Sequence, residues 1–220
     1  MNYTEVKKKL KKEFENILKP LGYKPKSDAQ GCEFGLIKDN YQYIISYGVA
    51  NYIDEFKTSC VIFISNKIID KIVKLSLNDD ITYTLLACRY ADYLGVVNYY
   101  YDIIEIEDIN NWIPKVKDFL FGFAFDFFEK YNSINELDIF FNTTPAEKTI
   151  YSYDLSTKII NSLIVAKLNN NPKYNELMNY YKSEIENKFQ GYFMYEKCMK
   201  VINFLEKYTS EELNKLANEI

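Results

Sequence analysis

The chain has 220 residues, 48% of them hydrophobic, with 27 basic and 31 acidic side chains and no histidine. The missing histidine removes the commonest general base and metal ligand and excludes Ser-His-Asp or Cys-His catalysis within the chain. Residues 1–26 hold eight lysines against three glutamates, a net +5, so the other 19 basic and 28 acidic side chains give the remainder −9. That acidic body is a poor counterion for phosphates and a good one for a basic protein.

Thr4 is the expected cap of a first helix in which Val6, Leu10, Phe14, Ile17 and Leu18 recur at helical spacing. Lys7, Lys8, Lys11, Lys12 and Glu15 fall on its solvated side, and Pro20 and Gly22 end it. Lys24 to Gly31 reads as a turn. Cys32–Lys38 and Tyr41–Val49 read as strands of a hairpin turned by Asp39-Asn40, with Phe56–Ser65 as a third strand. In Tyr41–Val49 the residues Tyr41, Tyr43, Ile45, Tyr47 and Val49 share one face, which is expected to be buried. Asn66–Leu75 fits a short helix, and Ile81–Arg89 and Val96–Ile104 read as two more strands.

From Asn111 the pattern turns helical, with Pro114 expected in a first turn and the helix running to about Tyr131. Capping boxes at Ser133–Glu136, Thr144–Glu147 and Thr209–Glu212 predict further helix starts. Asn171-Pro172 opens a helix to Gly191, and the last long helix sets Met194, Cys198, Val201, Ile202 and Leu205 on one stripe. The expected fold is therefore α+β: a mostly antiparallel sheet of about five strands, an N-terminal helix and an all-helical C-terminal half. Residues 1–142 form the expected α+β body and 143–220 a helical region packed on it.

Cys32, Cys60, Cys88 and Cys198 show no paired spacing and read as buried reduced thiols, so no metal or cofactor is expected. The lysine-rich start lacks a signal-peptide core and no run of about 18 uncharged apolar residues occurs, which predicts a cytoplasmic protein without a membrane span. Arg89, the single arginine, is expected to pair with a carboxylate, Asp92 being nearest in sequence. Arg89→Lys is therefore expected to destabilise the fold, since one ammonium cannot reproduce the bidentate geometry and breaking a buried pair costs about 3–5 kcal/mol. Tyr99 and Tyr101 share one side of a strand, and Glu105, Glu107 and Asp108 form the densest carboxylate group. Arg89, Tyr99, Tyr101, Glu105, Glu107 and Asp108 are therefore the candidate protein-binding residues, with no catalytic residue assigned. Asp39 followed by Glu55-Phe56-Lys57 matches a loose nuclease-like metal pattern that lysine-rich chains reach by chance.

The run Leu18-Lys19-Pro20-Leu21-Gly22-Tyr23-Lys24-Pro25-Lys26, the strand opened by Phe56, Cys88-Arg89-Tyr90-Ala91-Asp92-Tyr93-Leu94, and an aromatic strand leading into an acidic helix start occur in that order. Over roughly residues 5–142 this order resembles a family of uncharacterised bacterial proteins similar to the immunity proteins found beside polymorphic toxins. The resemblance implies an α+β fold and a non-catalytic binding role, and carries over no site residues. The expected function is thus a cytoplasmic, immunity-like binding protein that occludes a basic protein partner, binding neither nucleic acid nor membrane. The alternative is a metal-dependent hydrolase or nuclease using Asp102, Glu105, Glu107 and Asp108. A second alternative is an assembly subunit, which an exposed apolar stripe on Tyr192–Tyr208 would favour.

Overall fold

A computed structural model describes residues 2–27, 30–78, 84–147, 151 and 154–218. Its fold is α+β, and it divides into two compact units, one of 1–64 with 87–129 and one of 65–86 with 130–220. The division does not fall at 142/143: the segments around 65–86 and 130–142 group with the C-terminal helices.

The first unit begins with α1 (Tyr3–Leu18), capped by Asn2 rather than Thr4. Asn2 has Glu5 three residues on, so its side chain accepts from Glu5 N at 3.0 Å while the Glu5 carboxylate accepts from Asn2 N at 3.1 Å. Thr4 has Lys7 at that place, which cannot return an acceptor. A 3-10 turn at Lys19–Leu21 carries Pro20, and Gly22 closes it at φ 87°.

The sheet runs β1 (Lys24–Ser27), β2 (Gly31–Lys38), β3 (Tyr41–Asn51), β4 (Phe56–Asn66) and β5 (Leu86–Arg89) in spatial order, with β6 (Tyr101–Ile103) also on β4. Asp39 takes φ 56° and sets the β2–β3 register Lys38↔Tyr41 to Gly31↔Gly48. Tyr41, Tyr43, Ile45, Tyr47 and Val49 are buried as their alternation predicts. The Lys24–Ser27 stretch, read as a turn, is an edge strand instead. All four of its side chains are exposed, so it shows no apolar period, and an edge tolerates Pro25.

Two further strand expectations change. Ile81–Tyr83 lies outside the described residues, and β5 covers only the end of that run. Val96–Ile104 shrinks to β6, which pairs Tyr101–Ile103 with Thr58–Phe56. A strand has two edges; β3 holds one side of β4, and β5 and β6 divide the other, leaving Val96–Tyr100 without a ladder. Between them α3 (Tyr90–Tyr93) makes a single turn.

Helix α4 (Asp108–Phe119) starts before Pro114, which sits inside it rather than in its first turn. Asp108 fixes that start, since its carboxylate accepts from Ile104 N and Glu105 N at 2.9 Å each. Buried Ile109, Trp112, Ile113 and Val116 supply the apolar face, and a wider π turn at Leu120–Ala124 leads into α5 (Phe125–Lys130). The sheet's inner face packs on α1 through Phe14 against Tyr47 at 4.6 Å and on α5 through Phe128 against Tyr43 at 5.1 Å.

The second unit is helical. Asn66 caps α2 (Lys67–Leu77) by accepting from Ile68 N and Ile69 N. Ser133 caps α6 (Ile134–Asn142) as its box predicts. Thr144–Glu147 forms a turn and not a helix start, because the Lys158 ammonium draws in the Pro145 and Glu147 carbonyls at 2.9 and 2.5 Å. Lys158 belongs to α7 (Leu155–Leu168), of whose 14 residues 11 are buried; a helix buried almost all round is the centre of a bundle. Helix α8 (Tyr174–Phe189) packs back on α7, and α9 (Phe193–Leu205) buries Cys198, Val201, Ile202 and Leu205. Helix α10 (Ser210–Asn218) opens on the predicted box: Glu212 N donates to Thr209 Oγ1 and Thr209 N to the Glu212 carboxylate. Buried Asp138 on α6 accepts from the side-chain amides of Asn142, Asn169 and Asn171 at 2.7, 2.7 and 2.8 Å.

Candidate functional site

The six candidate residues all lie between the end of β5 and the start of α4, in the first unit. Arg89 ends β5 and grips Asp92 with Nε at 3.1 Å and Nη2 at 2.7 Å, while its own backbone N–H donates to the same carboxylate at 2.8 Å. The pairing matches its sequence expectation, but 49% of the Arg89 side chain is exposed against 13% of Asp92. This is a pinned surface guanidinium and not a buried ion pair, since about half of the Arg89 side chain faces water.

Behind Arg89, Tyr90 meets Trp112 and Phe119 edge-on at 5.1 and 5.5 Å. Tyr99 and Tyr101 are half-buried and lie nearly parallel to Trp112 at 6.3 and 5.1 Å. Burial, with Asp108 next in effect, pushes the Tyr101 phenol up. Their rings therefore anchor the segment to α4. The exposed members are Tyr93, Leu94, Val96, Val97, Tyr100 and Ile104, six large apolar side chains within residues 93–104. Sequence alternation left open which side of the Tyr99–Tyr101 run is core; the position of Trp112 decides it.

The carboxylates do not act as one group. Asp108 is spent on the Ile104 and Glu105 amides. Asp102 lies 3.4 Å from Lys57, which Glu55 also holds at 2.9 Å, and the Glu55 hydrogen bond is the main cause that raises the Lys57 pKa. Glu105 and Glu107 line a groove of about 680 Å³ opposite Lys8, Lys9 and Lys12 of α1. Lys9 Nζ reaches across it to the Ile106 carbonyl at 3.0 Å. The positive end of the chain thus lies beside its densest acidic run, and the groove is mixed in charge.

Among the described residues no group of three or more Cys, Asp and Glu side chains is placed to hold a metal. Asp39 and Glu55 stand at opposite ends of the 11-residue β3, on the order of 30 Å apart at ~3.3 Å per residue, so they cannot share an ion. The thiols of Cys32, Cys60, Cys88 and Cys198 are buried and unbridged, and burial pushes Cys88 and Cys198 up to about 12, far from thiolate reactivity near neutrality. The apolar stripe of α9 is core; only Tyr192, Phe193 and part of Met194 at its start are exposed. No described helix is long and apolar enough to cross a membrane. Comparison of the chain with family models, curated proteins and solved structures finds no match.

Proposed function

We propose that the protein is a non-catalytic binding protein that occludes a basic protein partner with the surface running from Arg89 to Ile104. One observation carries this reading: six large apolar side chains are exposed within residues 93–104, beside a guanidinium already fixed by Asp92. Exposed aromatic and aliphatic side chains around a pre-ordered arginine are what interface centres are made of, since burying them costs little ordering entropy. The overall charge of −4 and the −9 beyond residue 26, where 19 basic face 28 acidic side chains, support a basic partner. Tyr99 and Tyr101 serve as the props of this surface, and Glu105 and Glu107 stand at its rim, opposite the lysines of α1. Immunity-type occlusion, as in the proteins whose feature order the chain resembles, and residence in the cytoplasm, where unbridged cysteines persist, complete the reading.

The test is affinity capture from source-cell lysate at low salt after nuclease treatment, run in parallel with the double variant Leu94→Ser/Tyr100→Ala. A basic protein retained by the wild type, lost by the variant and released as salt shortens the screening length below about 10 Å supports the proposal. Recovery of nucleic acid, or equal retention of the same protein by the variant, overturns it.

A further inference from the structure

The groove between α1 and the Ile104–Glu107 segment has walls of opposite charge that do not meet. Lys8 and Lys12, one turn apart on the same face of α1, stand on one wall, and Glu105 and Glu107 on the other. All four are exposed, and among the described residues no ion pair joins either lysine to either glutamate. Glu5, the one acidic residue of the α1 wall, is engaged by the Asn2 N–H at 3.1 Å. The walls are also held in place. Buried Val6 and Leu10 fix α1, Asp108 accepts from the Ile104 and Glu105 amides at 2.9 Å each, and Lys9 ties the two walls together through the Ile106 carbonyl at 3.0 Å. Ile104, 65% exposed, and Ile106 supply an apolar lining between the charges. A groove of about 680 Å³ has the size of a small-molecule site.

We propose that this groove binds a small aliphatic molecule with a carboxylate at one end and an ammonium at the other, the carboxylate against Lys8 and Lys12 and the ammonium against Glu105 and Glu107. The pair of walls selects the ligand. A plain anion gains the lysines but faces the glutamates, and a plain cation meets the reverse; a ligand with both charges is attracted at both ends. Its methylene body covers Ile104, which otherwise meets water. This site goes beyond the occlusion of a protein partner and does not rest on it.

The probes are the ω-amino carboxylates from aminopropanoate to ω-aminooctanoate, each with the monocarboxylate and the primary amine of equal length as controls. Each is titrated calorimetrically into the full chain at constant ionic strength. At least one ω-amino carboxylate is expected to bind about tenfold or more tightly than both of its controls, because each control lacks one charged contact. Lys12→Gln and Glu107→Gln are each expected to weaken that binding by about tenfold. Neither should move the melting temperature of the ligand-free chain, since neither side chain makes an ion pair among the described residues. Failure of every ω-amino carboxylate to bind, equal affinity for a single-charge control, or undiminished affinity in both glutamine variants overturns the proposal. Leu94→Ser/Tyr100→Ala is expected to keep the wild-type affinity, so the groove and the protein-binding surface fail separately.

Discussion

Arg89 and Asp138 show how exposure sets the worth of a contact whose geometry is equally good in both cases. Arg89 makes the two-pronged contact with Asp92, but half its side chain faces water. Exposed pairs contribute about 0.2–1 kcal/mol, so Arg89→Lys is expected to shift a urea-derived stability by less than about 1 kcal/mol, not the 3–5 kcal/mol of a buried pair. A larger loss would place the guanidinium in the core. Asp138 is the opposite case: it is 4% exposed and accepts from three asparagine amides. Asp138→Ala leaves those donors unmet and is expected to cost about 3 kcal/mol by urea unfolding, while Asn169→Ala, which removes one donor, costs about 1 kcal/mol. Neither value was legible in the sequence. Asp138 reads there as one more acidic residue, and Asn169 to Asn171 as a loop, because two of the three donors lie 31 and 33 residues from the acceptor.

At the scale of elements, those with local causes follow from the sequence. The β2–β3 hairpin is set by Asp39 and an apolar alternation, and α10 by the Thr209–Glu212 box, all within a few residues of the elements they define. Elements set by a neighbour do not. Strand β1 exists because β2 offers an edge, and β6 stops at three residues because β5 shares its side of β4. Gly31 is a sharper instance, since a Cβ there would lie 2.0 Å from the Tyr47 carbonyl oxygen of the paired strand. Gly31→Ala is therefore expected to lose about 3 kcal/mol or more, with a lowered urea midpoint or insoluble expression. Gly48→Ala, where nothing lies within 4 Å of the added carbon, serves as the control and is expected to be much milder.

For the molecule as a whole, its many buried phenols and thiols set the response to pH. Burial is the main cause that raises Tyr43, Tyr181, Cys88 and Cys198 to about 12. Unfolded cysteine and tyrosine titrate near 8.5 and 10, so the folded chain retains protons that the unfolded chain releases. Their stabilising contribution is complete below about pH 8.5 and is lost as pH rises toward 12. Lys158 acts in the other sense: burial lowers its pKa, and deprotonation relieves that cost as pH rises. Burial also raises Tyr23, Cys60 and Tyr174, so the phenols and thiols outweigh Lys158. The urea midpoint is expected to fall between about pH 8 and about pH 10.5, and the fall should be shallower in Cys198→Ala, whereas a flat profile would show that these groups meet water. The sequence by itself determined the α+β class, the hairpin, the buried face of β3, the Arg89–Asp92 pairing and the absence of histidine chemistry, because composition, period and short-range capping are local properties. Tertiary structure alone decided that Tyr99 and Tyr101 turn inward onto Trp112, that Tyr100 and Val97 face outward, and that the lysines of α1 lie across a groove from Glu105 and Glu107. Those outcomes depend on which edge, ring or charge the rest of the chain brings alongside, and no local pattern encodes a neighbour that is about a hundred residues away, as Ile106 is from Lys9 at a separation of 97.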